Sequence, residues 1–130
     1  MQDLISAAKV ARATAHSPYS KFYVGAAMRD EKGRVFAGCN IENAAYPQGW
    51  CAEPSAISAL IAAGGKRITE VLVMGNGETL CTPCGGCRQK IREFAGGDVK
   101  IHCCTEDGYL IRTFTLEELL PYSFGPENLA

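Results

Sequence analysis

Three cysteines and a glutamate have the types and spacing needed for a metal-dependent reaction. Cys51 and Glu53 lie two residues apart in GWCAEPSAI, and Cys84 and Cys87 flank two glycines in TPCGGCRQ. A C-x-x-C pair, joined by a third thiolate from elsewhere in the chain, suits a zinc ion. Because a structural zinc ion normally has four protein ligands, a set of three predicts a catalytic site with one position open to water.

Glu53 is the candidate proton carrier beside this metal. Zinc lowers the pKa of water toward neutrality, and a nearby carboxylate can take the proton and return it to a leaving group. An acidic residue at a helix start also has a purely structural explanation, because the helix dipole favours negative charge there. Beside three candidate zinc ligands, the catalytic interpretation is favoured.

The other four cysteines have a simpler interpretation. Cys103 and Cys104 follow His102 in a predicted strand, where neighbouring side chains point to opposite faces. This pattern favours a half-buried strand with small apolar side chains over a second metal site. Cys39 and Cys81 are interpreted in the same way.

Size and charge narrow the class of protein. The chain has 130 residues, of which 47% are hydrophobic and 21% charged, and this is typical of one globular domain over residues 1–130. The net charge is −1 and the basic residues are scattered, so no nucleic acid partner is expected. The N-terminus does not resemble a signal peptide, and no apolar run approaches the roughly 18 residues of a membrane span. We expect a cytoplasmic protein with reduced cysteines and no membrane partner.

Hydrophobic periodicity predicts the elements that must position these residues. Strands are predicted at Val24–Met28, Arg34–Gly38, Glu70–Gly75, Val99–Cys104 and Leu110–Phe114. Helices are predicted around Leu4–Ala11 and at Ala52–Ala63, Gln89–Phe94 and Leu116–Leu120. The first two strands form a hairpin, and strands and helices then alternate. This order predicts an α/β fold, a three-layer α-β-α sandwich around a mixed sheet of about five strands.

Both cysteine stretches fall where a loop enters a predicted helix. Cys51 directly precedes the second helix, and Cys84 and Cys87 precede the third. The unpaired N–H groups and positive dipole end of a helix start stabilise thiolate over thiol. Three thiolates at two helix starts would form a pocket for a soft or borderline cation.

Five motifs give the chain a resemblance to a known family. They are YSKFYVGAA at Tyr19–Ala27, NIENAAYP at Asn40–Pro47, CAE at Cys51–Glu53, PCGGCRQ at Pro83–Gln89 and LLPYSF at Leu119–Phe124. Together with the all-cysteine ligand set, they resemble the small homotetrameric cytidine deaminases. The resemblance extends from residue 19 to residue 124.

The resemblance implies an activity and a cofactor. Cytidine and 2′-deoxycytidine would be hydrolysed to uridine and 2′-deoxyuridine with release of ammonia, a reaction of pyrimidine salvage. One zinc ion per chain would be bound by Cys51, Cys84 and Cys87, and Glu53 would be the proton shuttle. Because the family shares its active sites between subunits, a homotetramer is the expected assembly.

Substrate contacts are also implied by the resemblance. Asn40 and Glu42 match the pair that hydrogen-bonds the ribose 3′-hydroxyl, and an amide and a carboxylate at i and i+2 can face one side of an extended segment. Phe22 matches the aromatic residue that packs on the pyrimidine. Backbone groups near Ala44 and Ala52 would read the edge of the base.

Two aromatic residues are expected to act across subunit interfaces. Tyr46 resembles a residue contributed to a neighbouring subunit's site, and Phe124 resembles an aromatic residue near the base from across an interface. For Phe22 and Phe124, plain core packing is the alternative interpretation.

The chain departs from the family pattern at two positions. Tyr23 stands where the family usually has proline, and Pro54 stands where it usually has arginine, directly after Glu53. Proline is tolerated in the first turn of a helix, but zinc with three thiolates carries a formal negative charge that the family arginine offsets. We expect N–H groups at the two helix starts, together with Arg88, to offset it here.

Three other functions stay open. A deaminase of a modified cytosine nucleoside would share these motifs. A catalytically weakened homologue that binds zinc or nucleosides would explain the missing arginine. A thiol redox module would use Cys84 and Cys87 as a dithiol, but it would leave Cys51 and Glu53 without a role.

Overall fold

The computed structural model describes all 130 residues as a series of four α-helices and five β-strands. In chain order these are α1 Gln2–Arg12, β1 Gly25–Asp30, β2 Val35–Cys39, α2 Ala52–Ala62, β3 Ile68–Met74, α3 Gly85–Arg92, β4 Lys100–Cys104, β5 Leu110–Thr115 and α4 Leu116–Leu119. Short 3₁₀ turns lie at Tyr46–Gln48 and Pro126–Leu129. None of the helices combines the length and the apolar character that crossing a membrane requires.

The five strands form one mixed sheet in the order β2-β1-β3-β4-β5. β1 pairs antiparallel with β2, as the predicted hairpin requires, and also with β3. β3 and β4 are parallel, and α3 provides the crossover connection that a parallel pair needs. β5 pairs antiparallel with β4 at the sheet edge. The predicted mixed sheet of five strands is confirmed.

Helices cover both faces of this sheet. Val71 and Val73 of β3 pack with α2 and α3 in the larger core, while Leu72 and Met74 of the same strand pack with α1 on the opposite face. This alternation follows from the two-residue period of a strand. It confirms the predicted three-layer arrangement.

Strand β4 carries the cysteine pair that follows His102. Cys103 belongs to the core on the α2 and α3 side, Cys104 belongs to the core on the α1 side, and both are buried. The ring nitrogens of His102 lie 2.7 Å from Glu70 Oε2 and 2.8 Å from Thr113 Oγ1. The one cluster of three or more potential metal ligands lies elsewhere in the chain. The structural interpretation of this segment is therefore confirmed.

Helix α3 begins earlier than predicted, at Gly85 rather than Gln89. Cys84 is its N-cap residue, and the Arg88 N–H donates to the Cys84 carbonyl over 2.9 Å. Glycine lowers helix stability most in the middle of a helix. The first turn tolerates it better, because its N–H groups have no intrahelical partner whichever residue stands there. The glycine pair has the composition of a loop and yet forms the first helical turn, which also contains Cys87.

Gly38 allows α2 to lie close against β2. A Cβ atom on this glycine would be 2.6 Å from Ala56 N and 2.6 Å from Ser55 Cβ, distances that packed atoms do not adopt. Ser55 and Ala56 lie near the start of α2. The contact therefore determines where the helix start, with Cys51, sits relative to the sheet.

Candidate active site

The three predicted metal ligands meet at the starts of α2 and α3. Cys51 is the N-cap residue of α2, Cys84 is the N-cap residue of α3, and Cys87 lies in the first turn of α3. Their sulfur atoms all lie within 4.8 Å of one another, and those of Cys84 and Cys87 are 3.4 Å apart. Tetrahedral zinc with bonds of about 2.3 Å separates its sulfur ligands by roughly 3.8 Å. The donor set and its spacing therefore fit a zinc ion.

No histidine or carboxylate completes this cluster to four ligands. Cys51 and Cys84 are exposed, whereas Cys87 is buried. A three-thiol set that is open on one side has the coordination of a catalytic rather than a structural zinc site.

The three thiols influence one another's protonation. The hydrogen bond from Cys87 holds the pKa of Cys51 at about 6, against the opposing effect of burial and with help from Cys84 and the positive charge of Lys90. The same interaction with Cys51 raises the pKa of Cys87. The cluster thus stabilises a thiolate, which is the form that binds metal.

Glu53 lies in the first turn of α2 and is 4% exposed. Burial raises its pKa to about 7, and the negative charge of Cys51 raises it further against hydrogen bonds from its own backbone and from Cys87. A carboxyl group with a pKa near neutrality can both accept and donate a proton at physiological pH.

A cavity of about 230 Å³ brings these groups together. Its lining residues are Phe22, Val24, Asn40, Cys51, Ala52, Glu53, Cys81, Thr82, Cys84 and Cys87. Seven of these ten had been predicted as site residues. The other three are Val24, Cys81 and Thr82, of which Cys81 and Thr82 directly precede the PCGGC motif. Cys81 lies in the loop before α3 and not in a strand as expected. Burial, with nearby negative charge, raises the pKa of Cys81 to about 11. Cys81 therefore lines the cavity as a neutral thiol.

Asn40 lines the cavity and fixes the loop that carries Phe22. Its Nδ2 donates to the Phe22 carbonyl over 2.9 Å and to Ser17 Oγ over 3.1 Å, while its Oδ1 accepts from the Val24 N–H over 2.9 Å. Both amide protons are used, and Oδ1 keeps one lone pair free.

Glu42 fixes the preceding part of the same loop. Its Oε1 accepts from the N–H groups of Tyr19 and Ser20 over 2.9 and 3.1 Å, and its Oε2 accepts from Ser20 Oγ. These hydrogen bonds lower the pKa of Glu42, so the side chain is an anion at neutral pH.

The remaining predicted contacts lie outside the cysteine cavity. Glu42 and Tyr46 line a neighbouring cavity of about 390 Å³, which is larger but contains none of the thiols. Tyr46 is 76% exposed and Phe124 is 57% exposed. Neither Ala44 nor Phe124 lines either cavity, and Phe124 is held by its carbonyl, which accepts from Gln89 Nε2 over 2.8 Å. A single chain does not bring Phe124 to the thiols.

Arg88, which was expected to help offset the thiolate charge, makes no hydrogen bond to the thiols. Its guanidinium donates to the carbonyls of Pro83 and Leu119, each over 2.7 Å, and to Thr82 Oγ1 over 2.9 Å. The guanidinium therefore links the loop before α3 to the end of α4. Pro54, buried in the first turn of α2, supplies no charge.

Comparison with known proteins gives one consistent result. A family model described as the cytidine and deoxycytidylate deaminase zinc-binding region matches residues 1–103. A cytidine deaminase of Sporosarcina psychrophila is 39% identical over 130 residues, which cover 100% of this chain and 95% of the relative. A cytidine deaminase of Mycobacterium tuberculosis is 38% identical over 119 residues, covering 92% of this chain and 85% of the relative.

Solved structures show the same similarity. The crystal structure of cytidine deaminase from Burkholderia pseudomallei has a TM-score of 0.86 and 38% sequence identity, covering 95% of this chain and 98% of the other. That of cytidine deaminase from Mycobacterium tuberculosis has a TM-score of 0.82 and 36% identity, covering 95% and 96%. The chain therefore belongs to the family that shares the cytidine and deoxycytidylate deaminase zinc-binding region.

Proposed function

We propose that this chain is a zinc-dependent cytidine deaminase that hydrolyses cytidine and 2′-deoxycytidine to the corresponding uridines and ammonia. One observation carries the proposal: three thiols within 4.8 Å of one another share a small cavity with the buried carboxyl group of Glu53. Relatives 38–39% identical over 92–100% of this chain are named cytidine deaminases, which supports the choice of substrate.

Cys51, Cys84 and Cys87 would hold one zinc ion per chain. When bound, zinc supplies a Lewis acid that lowers the pKa of a water molecule. The thiols position the ion at the helix starts, where N–H groups stabilise their negative charge. Cys81 and Val24 also line the cavity and are uncharged.

Glu53 would carry the protons. Its carboxyl group, whose pKa burial raises toward neutrality, would take a proton from the attacking water and deliver it to the ring nitrogen. It would then carry the proton of the new hydroxyl to the amino group. Addition of water forms a carbon–oxygen bond and opens the ring carbon–nitrogen double bond. The carbon–nitrogen bond to the amino group then breaks, ammonia leaves, and the new hydroxyl becomes the carbonyl of uridine. Glu53 lies beside the thiols without joining their cluster, so it would act as a proton carrier and not as a ligand.

Asn40 and Glu42 would select a nucleoside through its sugar hydroxyl. The free groups on both side chains are acceptors, since the amide protons of Asn40 already bind Ser17 and Phe22. A hydroxyl can donate to such acceptors, whereas a phosphate group has no comparable donor and is repelled by the carboxylate. Phe22, which is 42% exposed at the cavity, would pack on the pyrimidine ring.

The complete site would form in a homotetramer of single-domain chains spanning residues 1–130. Tyr46, Phe124 and Tyr122 are exposed by 76%, 57% and 101%, which is unusual for large aromatic side chains and favours burial against another subunit. In that assembly Tyr46 and Phe124 would reach a neighbouring site, and backbone groups near Ala44 and Ala52 would bind the edge of the base. Light scattering during size-exclusion chromatography gives the mass that tests this assembly.

A direct assay tests the activity. Zinc-loaded protein is mixed in turn with cytidine, deoxycytidine, cytosine and the monophosphate, and the ultraviolet absorbance change is followed. We expect rapid turnover of the two nucleosides only. Faster turnover of cytosine or of the monophosphate would contradict the proposed substrate. A protein that binds one zinc ion per chain but turns over none of them would favour a catalytically weakened homologue.

A further inference from the structure

The proposed zinc site leaves a negative charge that the protein must stabilise. Three thiolates around one divalent ion carry a net negative charge. Pro54 supplies no charge, and the Arg88 donors bind two carbonyls and a hydroxyl instead of sulfur. Helix N–H groups contribute partial charges only. Arg88 keeps its charge but does not direct a donor at the sulfur atoms, so a second cation close to the cluster would add to the compensation.

Lys90 folds back toward the start of its own helix, α3. Its Nζ lies 3.6 Å from the position that a Cβ atom would take on Gly86, and 5.3 Å from the centre of the Trp50 ring. Gly86 lies between Cys84 and Cys87 in the chain, and Trp50 directly precedes Cys51. The ammonium group is thus held between the two stretches that carry the three thiols.

The charge of Lys90 is not taken up by a carboxylate. None of the ion pairs in the structure includes it. Lys90 lines a cavity of about 390 Å³ between α2 and α3 together with Trp50 and Pro54, and Glu93 lines the same cavity without pairing with it. The aromatic face of Trp50 is its one structural anchor, through a cation–π contact.

We propose that Lys90 is the charge-compensating residue of the metal site, held in place by Trp50 and given room by Gly86. The inference rests on the zinc site proposed above and adds to it a residue that lies outside the five family motifs. Because Lys90 is exposed, its effect is modest and falls with ionic strength.

Zinc affinity measures this role without using activity. Dissociation constants are obtained by competition with a chromogenic chelator at neutral pH, in low and in high salt. The proteins are the wild type, Lys90→Met, Lys90→Arg and Trp50→Leu, with Lys32→Met as the matched control. Lys32 lies in the turn between β1 and β2, at the end of α2 remote from the thiols.

We expect Lys90→Met to weaken zinc binding about threefold in low salt, the size of an exposed charge interaction, and the loss to shrink in high salt. Trp50→Leu should cause a smaller loss, and Lys90→Arg and Lys32→Met should bind like the wild type. Equal affinities of Lys90→Met and wild type in low salt would overturn the proposal, and so would a loss that is independent of salt. A wild type that binds no zinc would instead overturn the metal site itself.

Discussion

The side-chain amide of Asn40 donates to the carbonyl of Phe22 over 2.9 Å, and this bond links a proposed sugar-binding residue to the proposed base-binding residue. Asn40 directly follows β2, and it therefore holds in place the loop that carries Phe22 at the edge of the active-site cavity. Any ligand contact at Asn40 is coupled through this bond to the position of the aromatic ring.

Asn40→Ala should weaken substrate binding and should also destabilise the loop that carries Phe22. The change leaves the Val24 N–H and the Phe22 carbonyl without their partner, and each lost bond costs about 1–3 kcal/mol when the group is buried. We expect kcat/KM on deoxycytidine to fall at least about tenfold, mainly through KM. Asn76→Ala is the control, because Asn76 accepts from Tyr23 N–H of the same loop but does not line the cavity. An equal loss of kcat/KM in both variants would assign Asn40 to loop stability alone.

Glu53→Gln should keep zinc and lose turnover. The amide fills the same space but cannot accept and donate the proton. Because Glu53 would act as base in the attack of water and as acid in the departure of ammonia, its removal should lower kcat at least about 10²- to 10⁴-fold. Zinc content by atomic absorption and kcat on cytidine are measured on the same sample. A variant that has lost zinc along with its activity would identify Glu53 as a structural or ligand residue.

Pro54→Arg should change turnover by less than about tenfold, or about 1.4 kcal/mol in the activation barrier. In the wild type the thiols already lie at two helix starts, with Lys90 nearby. Because these groups already stabilise the negative charge of the thiolates, an added guanidinium should contribute little further stabilisation. The measurement is kcat on deoxycytidine at equal zinc occupancy. An inactive wild type together with an active Pro54→Arg variant would show that the helix starts and Lys90 do not offset the thiolate charge sufficiently.

Gly38→Val should destabilise the fold and loosen the metal site. Its side chain would collide with the backbone at Ala56, and overpacking of this kind costs about 1–3 kcal/mol. Urea unfolding and zinc affinity are measured together. Gly85→Ala is the control, because a Cβ atom there meets open space. A fully stable Gly38→Val with unchanged zinc affinity would show that α2 does not depend on this contact.

Glu70 should make stability depend on pH in the acid range. Burial alone would raise its pKa, but hydrogen bonds from His102 and Arg29 lower it below the ordinary value of 4.5. A carboxyl group with a lowered pKa stabilises the fold above its unfolded pKa, and that stabilisation is lost as the pH falls through the folded pKa. The urea concentrations at the unfolding midpoints of the wild type and of Glu70→Gln should therefore differ most at neutral pH. They should converge below pH 4.5, the ordinary pKa of the carboxyl group. A difference that stays constant down to acid pH would exclude this linkage.

The sequence by itself predicted the elements and the ligand set. Strand alternation and helix periodicity are local, so the mixed sheet, the three layers and the buried pair of Cys103 and Cys104 could be predicted before any contact was known. The C-x-x-C spacing brings Cys84 and Cys87 together locally, and the helix start at Cys51 marks the third ligand, but the packing of α2 beside α3 is what brings Cys51 to them.

Only the tertiary structure decided what each polar group contacts. Arg88 directly follows Cys87 in the chain, but its guanidinium hydrogen-bonds to the carbonyls of Pro83 and Leu119. Lys90 lies three residues after Cys87, and its ammonium group lies beside Gly86 and Trp50. Long side chains have many rotamers, and the acceptors or rings that select one of them come from distant segments. The same reason explains why the cavity walls and the loop held by Asn40 emerged only from the packed fold.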